Sequence, residues 1–449
     1  MPVPMRAISS VEVRGLFGTY DYSLRPPGQD YDVDRLWILY GDNGCGKTTI
    51  LKTLFHLLAP DSGEGHKTAV AGIPFGRFEV SFTSGEQVWA ERASGRTSGT
   101  FKMGVKLKGK KQITYTYVAN EDGKVLSTSP EDEVEQVQFL SALRRLDLGL
   151  FFLSDDRTVR LAGQTVGDFS TPAYYVDEEH ILRARMRRSS PWIDPEELER
   201  RVTGLLVESI RRAEWWIQAQ AVHGSSEGES SVNTLYAEIL KRVSRLPLDE
   251  KRDSESSVAE VERMIGSLEK RSRTFAQYGL LPEFNGRDII SVVKSAPATH
   301  WHIMTNVVKP YVESVDKKLD AMETLQRQLD ALVTTLNSFF THKTVSFDLR
   351  NGFHITADSG RELAPNMLSS GERHLLLLFL NTVLALDRPS VFIIDEPEIS
   401  LNIKWQRRLL ASLLQCAGDS AVQYLFATHS IELLSQHRDN TIRVVEKAD

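Results

Sequence analysis

Tyr40-Gly41-Asp42-Asn43-Gly44-Cys45-Gly46-Lys47-Thr48-Thr49 is the stretch on which the reading of this chain turns. It follows an apolar run, Arg35-Leu36-Trp37-Ile38-Leu39-Tyr40. It precedes residues 48–58, where Ile50, Leu51, Leu54, Leu57 and Leu58 recur at helical spacing until Pro60. A strand, a glycine-rich turn and a helix in that order make a cradle for phosphate. Gly41, Gly44 and Gly46 let the backbone bend so that N–H groups, at the positive end of a helix, face phosphate oxygens. Lys47 adds a mobile positive charge and Thr48 a hydroxyl suited to Mg²⁺. The bland alternative is an ordinary glycine-rich strand-to-helix turn; the strand before and the helix after weigh against it. The candidate nucleotide-binding residues here are Asn43, Gly44, Cys45, Gly46, Lys47, Thr48 and Thr49, and the ligand they imply is ATP.

Such a loop supplies half a hydrolytic site, and the chain carries the rest far downstream. Val391-Phe392-Ile393-Ile394-Asp395-Glu396 is an apolar strand ending in two acids. Asp395 is placed to hold Mg²⁺ with Thr48. Glu396 leaves the strand in the opposite direction, which suits it to act as the general base on the attacking water. Leu368-Ser369-Ser370-Gly371-Glu372-Arg373 opens an apolar helix and satisfies the capping-box pattern, Ser369 with Glu372. Thr428-His429-Ser430 follows another apolar strand, and a histidine there can sense the terminal phosphate. Taken singly, acids after a strand or a lone histidine are more often structural. Their company with the phosphate loop changes that balance.

Composition excludes some classes. The chain has 449 residues, with 54 Lys+Arg against 60 Asp+Glu, so bulk charge does not mark it as a nucleic-acid coat. Its two cysteines, Cys45 and Cys416, give no disulfide framework. No secretory h-region opens it and no apolar run approaches a bilayer span of ~20 residues, so the chain reads as soluble and cytoplasmic, with no membrane.

Around the motifs the periodicity changes twice. Alternating segments between residues 75 and 119, such as 77–82 and 112–118, indicate an antiparallel meander. Leu150-Phe151-Phe152-Leu153 reads as a buried strand followed by polar Ser154-Asp155-Asp156-Arg157. From 195 to 340 the period is helical. Val308, Tyr311, Val315, Leu319, Met322, Leu325, Leu329, Leu332, Leu336 and Phe339 form a seam on one long helix, against which the earlier segment around Val202, Leu205, Ile210, Ala213 and Ile217 can return antiparallel. Residues 224–231 and 248–257 read as loops. Segments 345–349 and 353–357 flank Arg350-Asn351-Gly352, a hairpin signal, and strands then alternate with helices. The expected architecture is α/β. A head is assembled from 1–160 and 345–449, with a helical insert carrying a short antiparallel coiled coil at 161–344.

The Walker A loop, Leu-Ser-Ser-Gly-Glu, Ile-Ile-Asp-Glu-Pro and Thr-His-Ser in that order resemble the ABC ATPase superfamily. Gly371 lies 324 positions beyond Lys47, too far for a compact transporter ATPase, and an intervening helical insert is similar to the SMC and RecF branch. Asp395-Glu396-Pro397-Glu398-Ile399-Ser400-Leu401, Trp405-Gln406 and Ala427-Thr428-His429-Ser430 resemble the OLD-like (AAA15/AAA21-type) ATPases of bacterial anti-phage defence, such as those of the PARIS, Gabija and Septu systems. The resemblance covers roughly residues 5–60 and 345–440. It implies a slow Mg²⁺-dependent ATPase whose heads form a homodimer around two ATPs, with Lys47, Thr48, Asp395, Glu396 and His429 of one copy acting with Ser369, Ser370, Gly371 and Glu372 of the other. It also implies a larger homo-oligomer, a phage-protein trigger and a separate effector, a Toprim-type nuclease or toxin, since this chain stops about 20 residues past His429. The alternative is a DNA-repair ATPase of SMC/RecF type acting on DNA; a non-hydrolysing nucleotide scaffold is a third possibility.

The chain departs from the OLD-like pattern in two places. Leu401-Asn402-Ile403 stands where Leu-His-Pro is usual, and no glutamine marks a Q-loop, for which residues 154–157 are the substitute. Two basic clusters, Arg183, Arg185, Arg187, Arg188 and Lys102, Lys106, Lys108, Lys110, Lys111, read first as solvated faces, and second as surfaces for DNA, RNA or an acidic protein. Trp215 and Trp216 read as packing or subunit contacts.

Overall fold

The computed structural model describes residues 6–26, 35–60, 65–126, 130–155, 159–162, 195–229, 254–295, 297 and 300–445. The cluster Arg183, Arg185, Arg187 and Arg188, and Asp156 and Arg157 of the substitute Q-loop, lie outside these residues. In chain order come β1 (Ile8–Leu16), β2 (Tyr20–Leu24), β3 (Leu36–Tyr40), α1 (Lys47–Leu58), α2 (His66–Gly72), β4 (Arg77–Phe82), β5 (Gln87–Glu91), β6 (Phe101–Lys106), β7 (Ile113–Tyr117), α3 (Pro130–Arg144), β8 (Gly149–Leu153) and β9 (Val159–Ala162). The helices α4 (Pro195–Glu229), α5 (Ser254–Ala276), α6 (Arg287–Ser295) and α7 (Trp301–Phe339) follow, then the hairpin β10 (Lys343–Asp348) and β11 (Gly352–Ala357). The last elements are α8 (Ser370–Leu384), β12 (Ser390–Asp395), α9 (Ile403–Ala417), β13 (Val422–Ala427), α10 (Ile431–Gln436) and β14 (Thr441–Arg443). They form two compact units, Met1–Leu206 with Ser369–Asp449, and Val207–Leu368.

The first unit is an α/β head built on two sheets. One has the order β14-β3-β13-β12-β8-β9 and is parallel except for β9. Every residue of β8, β12 and β13 is buried, as expected of parallel strands covered on both faces. The second sheet, β2-β1-β4-β5-β6-β7, is the expected antiparallel meander with β1 and β2 added at one edge. Lys102 and Lys106 of the basic cluster are the exposed positions of β6, where Lys102 lies opposite Glu91 in the strand register. That is the solvated face of a half-buried strand.

A side chain joins the two sheets. Gln423, buried on β13, accepts from the Ile8 N–H (2.8 Å) through Oε1 and donates to the Ile8 carbonyl (2.9 Å) through Nε2. Its amide thus serves as one more residue of strand for the edge of β1. Helix α8 is buried on nearly every side, from Gly371 to Val383, which is why Leu375-Leu376-Leu377-Leu378 shows no amphipathic stripe.

The second unit is helical, with the hairpin attached. Two side-chain pairs set the direction of α5 against α7. Lys309 meets Glu260 (2.9 Å), and Arg271 meets Asp316, Asp320 and Glu323 (2.6–2.7 Å), so residue numbers rise together and the helices run parallel. Helix α4 runs the other way along α7, as Gly224 abuts Met322 while Glu214 accepts from the Phe353 N–H of the hairpin. The long helix therefore has both an antiparallel and a parallel neighbour. From Leu319 onward every residue of the expected seam is buried, with Val333 and Thr335 buried beside it, but Val312 is buried and Tyr311 is exposed. The seam slips one position beside Pro310, which removes a backbone donor and perturbs the preceding turn.

Two expectations change here. Residues 224–229 continue α4 instead of forming a loop, and 254–257 open α5; 230–231 and 248–253 lie outside the described residues. The hairpin belongs to the helical unit, so the second head segment begins at 369 and not at 345. The cause is local. The Asn337 amide holds both backbone groups of Val345 (2.7 and 2.8 Å), and the Leu349 N–H donates to the Tyr278 carbonyl (3.0 Å). Of the two tryptophans read as packing or subunit contacts, Trp216 is buried and Trp215 is exposed. No described helix is long and apolar enough to cross a membrane.

Candidate functional site

In the parallel sheet, β13 lies between β3 and β12, with β8 beyond β12. Parallel strands end at the same edge, so the loops after β3, β13, β12 and β8 converge there. Those loops carry Gly41–Lys47, Thr428-His429-Ser430, Asp395-Glu396 and Ser154-Asp155. Topology alone thus gathers residues that are hundreds of positions apart.

The phosphate loop is held from three sides. Gly46 caps α1 in the left-handed region (φ 90°), and a Cβ there would stand 2.7 Å from a Leu16 methyl, so only glycine fits. The Tyr22 hydroxyl donates to the Cys45 carbonyl (2.8 Å). Lys47 is buried and its Nζ donates to the Gly41 and Asp42 carbonyls (2.9 and 3.2 Å), with the Cys45 Sγ 3.9 Å away. The ammonium is therefore pinned over the loop, ready to exchange carbonyl oxygens for phosphate oxygens. Asn43 is exposed at the tip and Thr49 is half-buried in the first turn of α1.

Asp395 is buried at the end of β12, and neither carboxylate oxygen has a hydrogen bond of good geometry. Burial raises its pKa to about 6, with Asp155 pushing the same way, while the nearby Thr48 hydroxyl, Lys52 and Lys47 oppose. A buried carboxylate with two unbonded oxygens beside a hydroxyl and a phosphate loop fits a divalent cation. Glu396 takes a left-handed backbone (φ 50°), an unusual conformation for a non-glycine residue that swings it off the strand while its N–H still donates to the Ala427 carbonyl. Its pKa is raised to about 7, by burial first, then by the facing Glu398 carboxylate and by Asp395. His429 Nε2 stands 3.6 Å from Glu396 Oε1. Asp155 pairs with Lys52 at 3.7 Å, so the loop after β8 adjoins the site even without a glutamine.

Ser369 forms the full capping box. Its hydroxyl accepts from the Glu372 N–H (3.3 Å) and the Glu372 carboxylate accepts from the Ser369 N–H (2.7 Å). Ser369 and Ser370 are exposed, whereas Gly371 is buried against the loop after β12. A Cβ on Gly371 would lie 2.5 Å from the Ser400 carbonyl and 3.2 Å from the Trp405 ring. Asn402, where histidine is usual, caps α9 by accepting from the Trp405 N–H (3.0 Å). Thus Lys47, Thr48, Asp395, Glu396 and His429 share one sheet edge, while Ser369–Glu372 open α8, with Ser369 and Ser370 exposed and Gly371 and Glu372 buried.

Two residues absent from the expected site belong to it structurally. Glu398 and Gln406 fasten the loop that carries His429. The conspicuous Glu398 and Trp405-Gln406 of the motif were the available signal, but their partners are tertiary.

This architecture and site define an ATPase head of the ABC and SMC class. The chain belongs to the family described as "AAA domain, putative AbiEii toxin, Type IV TA system" (AAA_21), whose sequence profile matches residues 167–435. The ABC transporter profile matches residues 30–149. The DNA double-strand break repair Rad50 ATPase of Sulfurisphaera tokodaii is 26% identical over 151 residues, 33% of this chain. The chain spans only about one sixth of that relative, 16% of its length. Among solved structures, the Smc head domain of Pyrococcus furiosus with an extended coiled coil, bound to the C-terminal domain of ScpA, matches 99% of this chain and 97% of its own, at 12% identity and TM-score 0.37. The SMC head domain from Thermotoga maritima matches 99% and 100%, at 12% identity and TM-score 0.34.

Proposed function

We propose that this head is a slow, Mg²⁺-dependent ATPase switch whose site is completed by a second copy, and that it is the sensor ATPase of an anti-phage defence system controlling a separate effector. The observation that carries the hydrolytic reading is the meeting of Lys47, Thr48, Asp395, Glu396 and His429 at one sheet edge. Thr48 and Asp395 would hold Mg²⁺, which when bound supplies charge neutralisation at the phosphates. The loop N–H groups and Lys47 bind and orient the phosphates. Glu396, off the strand and beside His429, accepts the proton of the attacking water, and His429 Nε2 fixes that carboxylate or the terminal phosphate. Ser369 and Ser370 are exposed at the capped start of α8, which supports their use by the nucleotide of a partner copy.

The defence role rests on the Asp-Glu-Pro-Glu and Trp-Gln motif resemblance and on a family whose description names a toxin of a toxin–antitoxin system. The effector, a Toprim-type nuclease or toxin, the phage-protein trigger and a higher homo-oligomer belong to that reading. The similarity to Rad50 favours a second one, a DNA-repair ATPase. The test is to purify the Glu396→Gln protein, which should trap ATP, from its native cell. A co-purifying nuclease or toxin supports the sensor. DNA alone, with salt-sensitive stimulation of wild-type hydrolysis by DNA, supports repair and overturns the sensor.

A further inference from the structure

The His429 ring is 41% exposed and its recorded polar neighbour is Glu396 at 3.6 Å, so its position is inherited from its backbone and not from packing. That backbone is held by one oxygen. Glu398 Oε1 accepts from the Thr428 hydroxyl (2.7 Å), the His429 N–H (2.9 Å) and the Ser430 N–H (3.0 Å), three consecutive residues that lie 30 or more positions away. Donation of several groups to a single carboxylate oxygen gives short, charge-assisted bonds and a fixed loop. The same loop is tied on its other side. The Ser430 hydroxyl donates to Gln406 Oε1 (2.8 Å), and Gln406 Nε2 donates to the Leu401 carbonyl (2.9 Å). Glu398 sits two residues after Glu396, so the strand end that aims the base also aims the histidine.

We propose that Glu398, assisted by Gln406, is the positioning residue of the His429 loop, setting the histidine against Glu396 without itself touching nucleotide. This rests on the reading that His429 and Glu396 act in hydrolysis. It implies that an oxygen at this place is required but a charge is not, because a glutamine carbonyl can accept the same three bonds.

The experiment compares turnover and ATP affinity of full-length wild type, Glu398→Ala, Glu398→Gln, His429→Ala and the Glu398→Ala/His429→Ala pair. Misplacing a catalytic group by about 1 Å costs up to roughly 10²-fold. Glu398→Ala should therefore lower kcat by roughly 10- to 100-fold with ATP affinity within about threefold. Glu398→Gln should retain most of the turnover, and the double variant should be no slower than His429→Ala, since both changes remove one device. Losses that multiply in the double variant, or a Glu398→Gln as slow as Glu398→Ala, overturn the inference. A silent His429→Ala overturns the switch-histidine reading and this inference with it. A damaging His429→Ala beside a silent Glu398→Ala overturns this inference alone. If Glu398→Ala does not fold, Thr428→Val removes one of the three bonds at nearly constant shape: a several-fold lower kcat supports the proposal and wild-type turnover overturns it.

Discussion

At the residue scale the site is a set of strained or desolvated groups held by neighbours. Asp395 keeps its proton up to about pH 6 in the folded head, well above the ordinary carboxylate range. Ionising it there costs stability, so that cost is absent below the unfolded pKa and complete above about 6. In metal-free protein, Asp395→Asn should therefore raise Tm more at pH 7.5 than at pH 5, where only part of the cost is present; equal effects at both would refute the assignment. Glu396, raised to about 7, must lose its proton to serve as the proposed base. Turnover should accordingly rise with pH through about 7, a limb that pH profiles of kcat/KM will show or deny. Gly371 faces a backbone carbonyl, not a yielding side chain. Gly371→Ala should cost about 1–3 kcal/mol of stability, read by denaturant titration, as well as activity. Much of this chemistry was legible in sequence, because phosphate loops and acid-tipped strands are local patterns. The hold of Glu398 on residues 428–430 was not, since no spacing rule links positions 30 apart on different loops.

At the element scale, α1 carries the phosphate loop at one end and is anchored at the other by a buried lysine. Lys67 donates to the carbonyls of His56 (3.1 Å), Leu57 (3.0 Å) and Ala59 (2.8 Å), the orphan acceptors of the last turn and the residue just past it. Lys67→Met keeps the aliphatic stem and removes the charge, and should cost about 3 kcal/mol in chemical denaturation. A loss below about 0.5 kcal/mol would show that water replaces the ammonium. In the helical unit Arg271 gathers Asp316, Asp320 and Glu323 at a partly exposed site. Arg271→Ala should cost about 1 kcal/mol at low salt and less at high salt, the signature of screened charge. The seam of α7 was readable from its period, yet the direction of α5 was not. Apolar spacing says that a helix needs a partner and is silent on which way that partner runs. The hairpin at 343–357 was also visible as a hairpin, but its attachment to Asn337 and Tyr278 depends on side chains that no local pattern identifies.

At the scale of the whole molecule, the proposed dimeric site makes turnover depend on association. Specific activity should rise with protein concentration, and Glu396→Gln with ATP should show a larger mass by light scattering than without; an isolated monomer with full activity would overturn the shared site. The α/β head was expected from the alternation of strands and helices, and its split between two distant segments follows from where the motifs lie. The sheet order carries a consequence for how the protein is made. Strand β3, which delivers the phosphate loop, has β13 and β14 as its two neighbours, and these end about 400 residues later in synthesis. At ~5–20 residues per second, a ribosome needs roughly 20–80 s to supply them. Until then β3 has both edges unpaired, and the acids and histidine of the site do not yet exist. A nascent chain therefore has no way to form the ATPase site early, and burying that exposed strand falls to chaperones or to the meander and helices already emerged. Separating the two halves of the nucleotide site by about 350 positions, from Lys47 to Asp395, means that the site can form only once the second segment of the head has been translated.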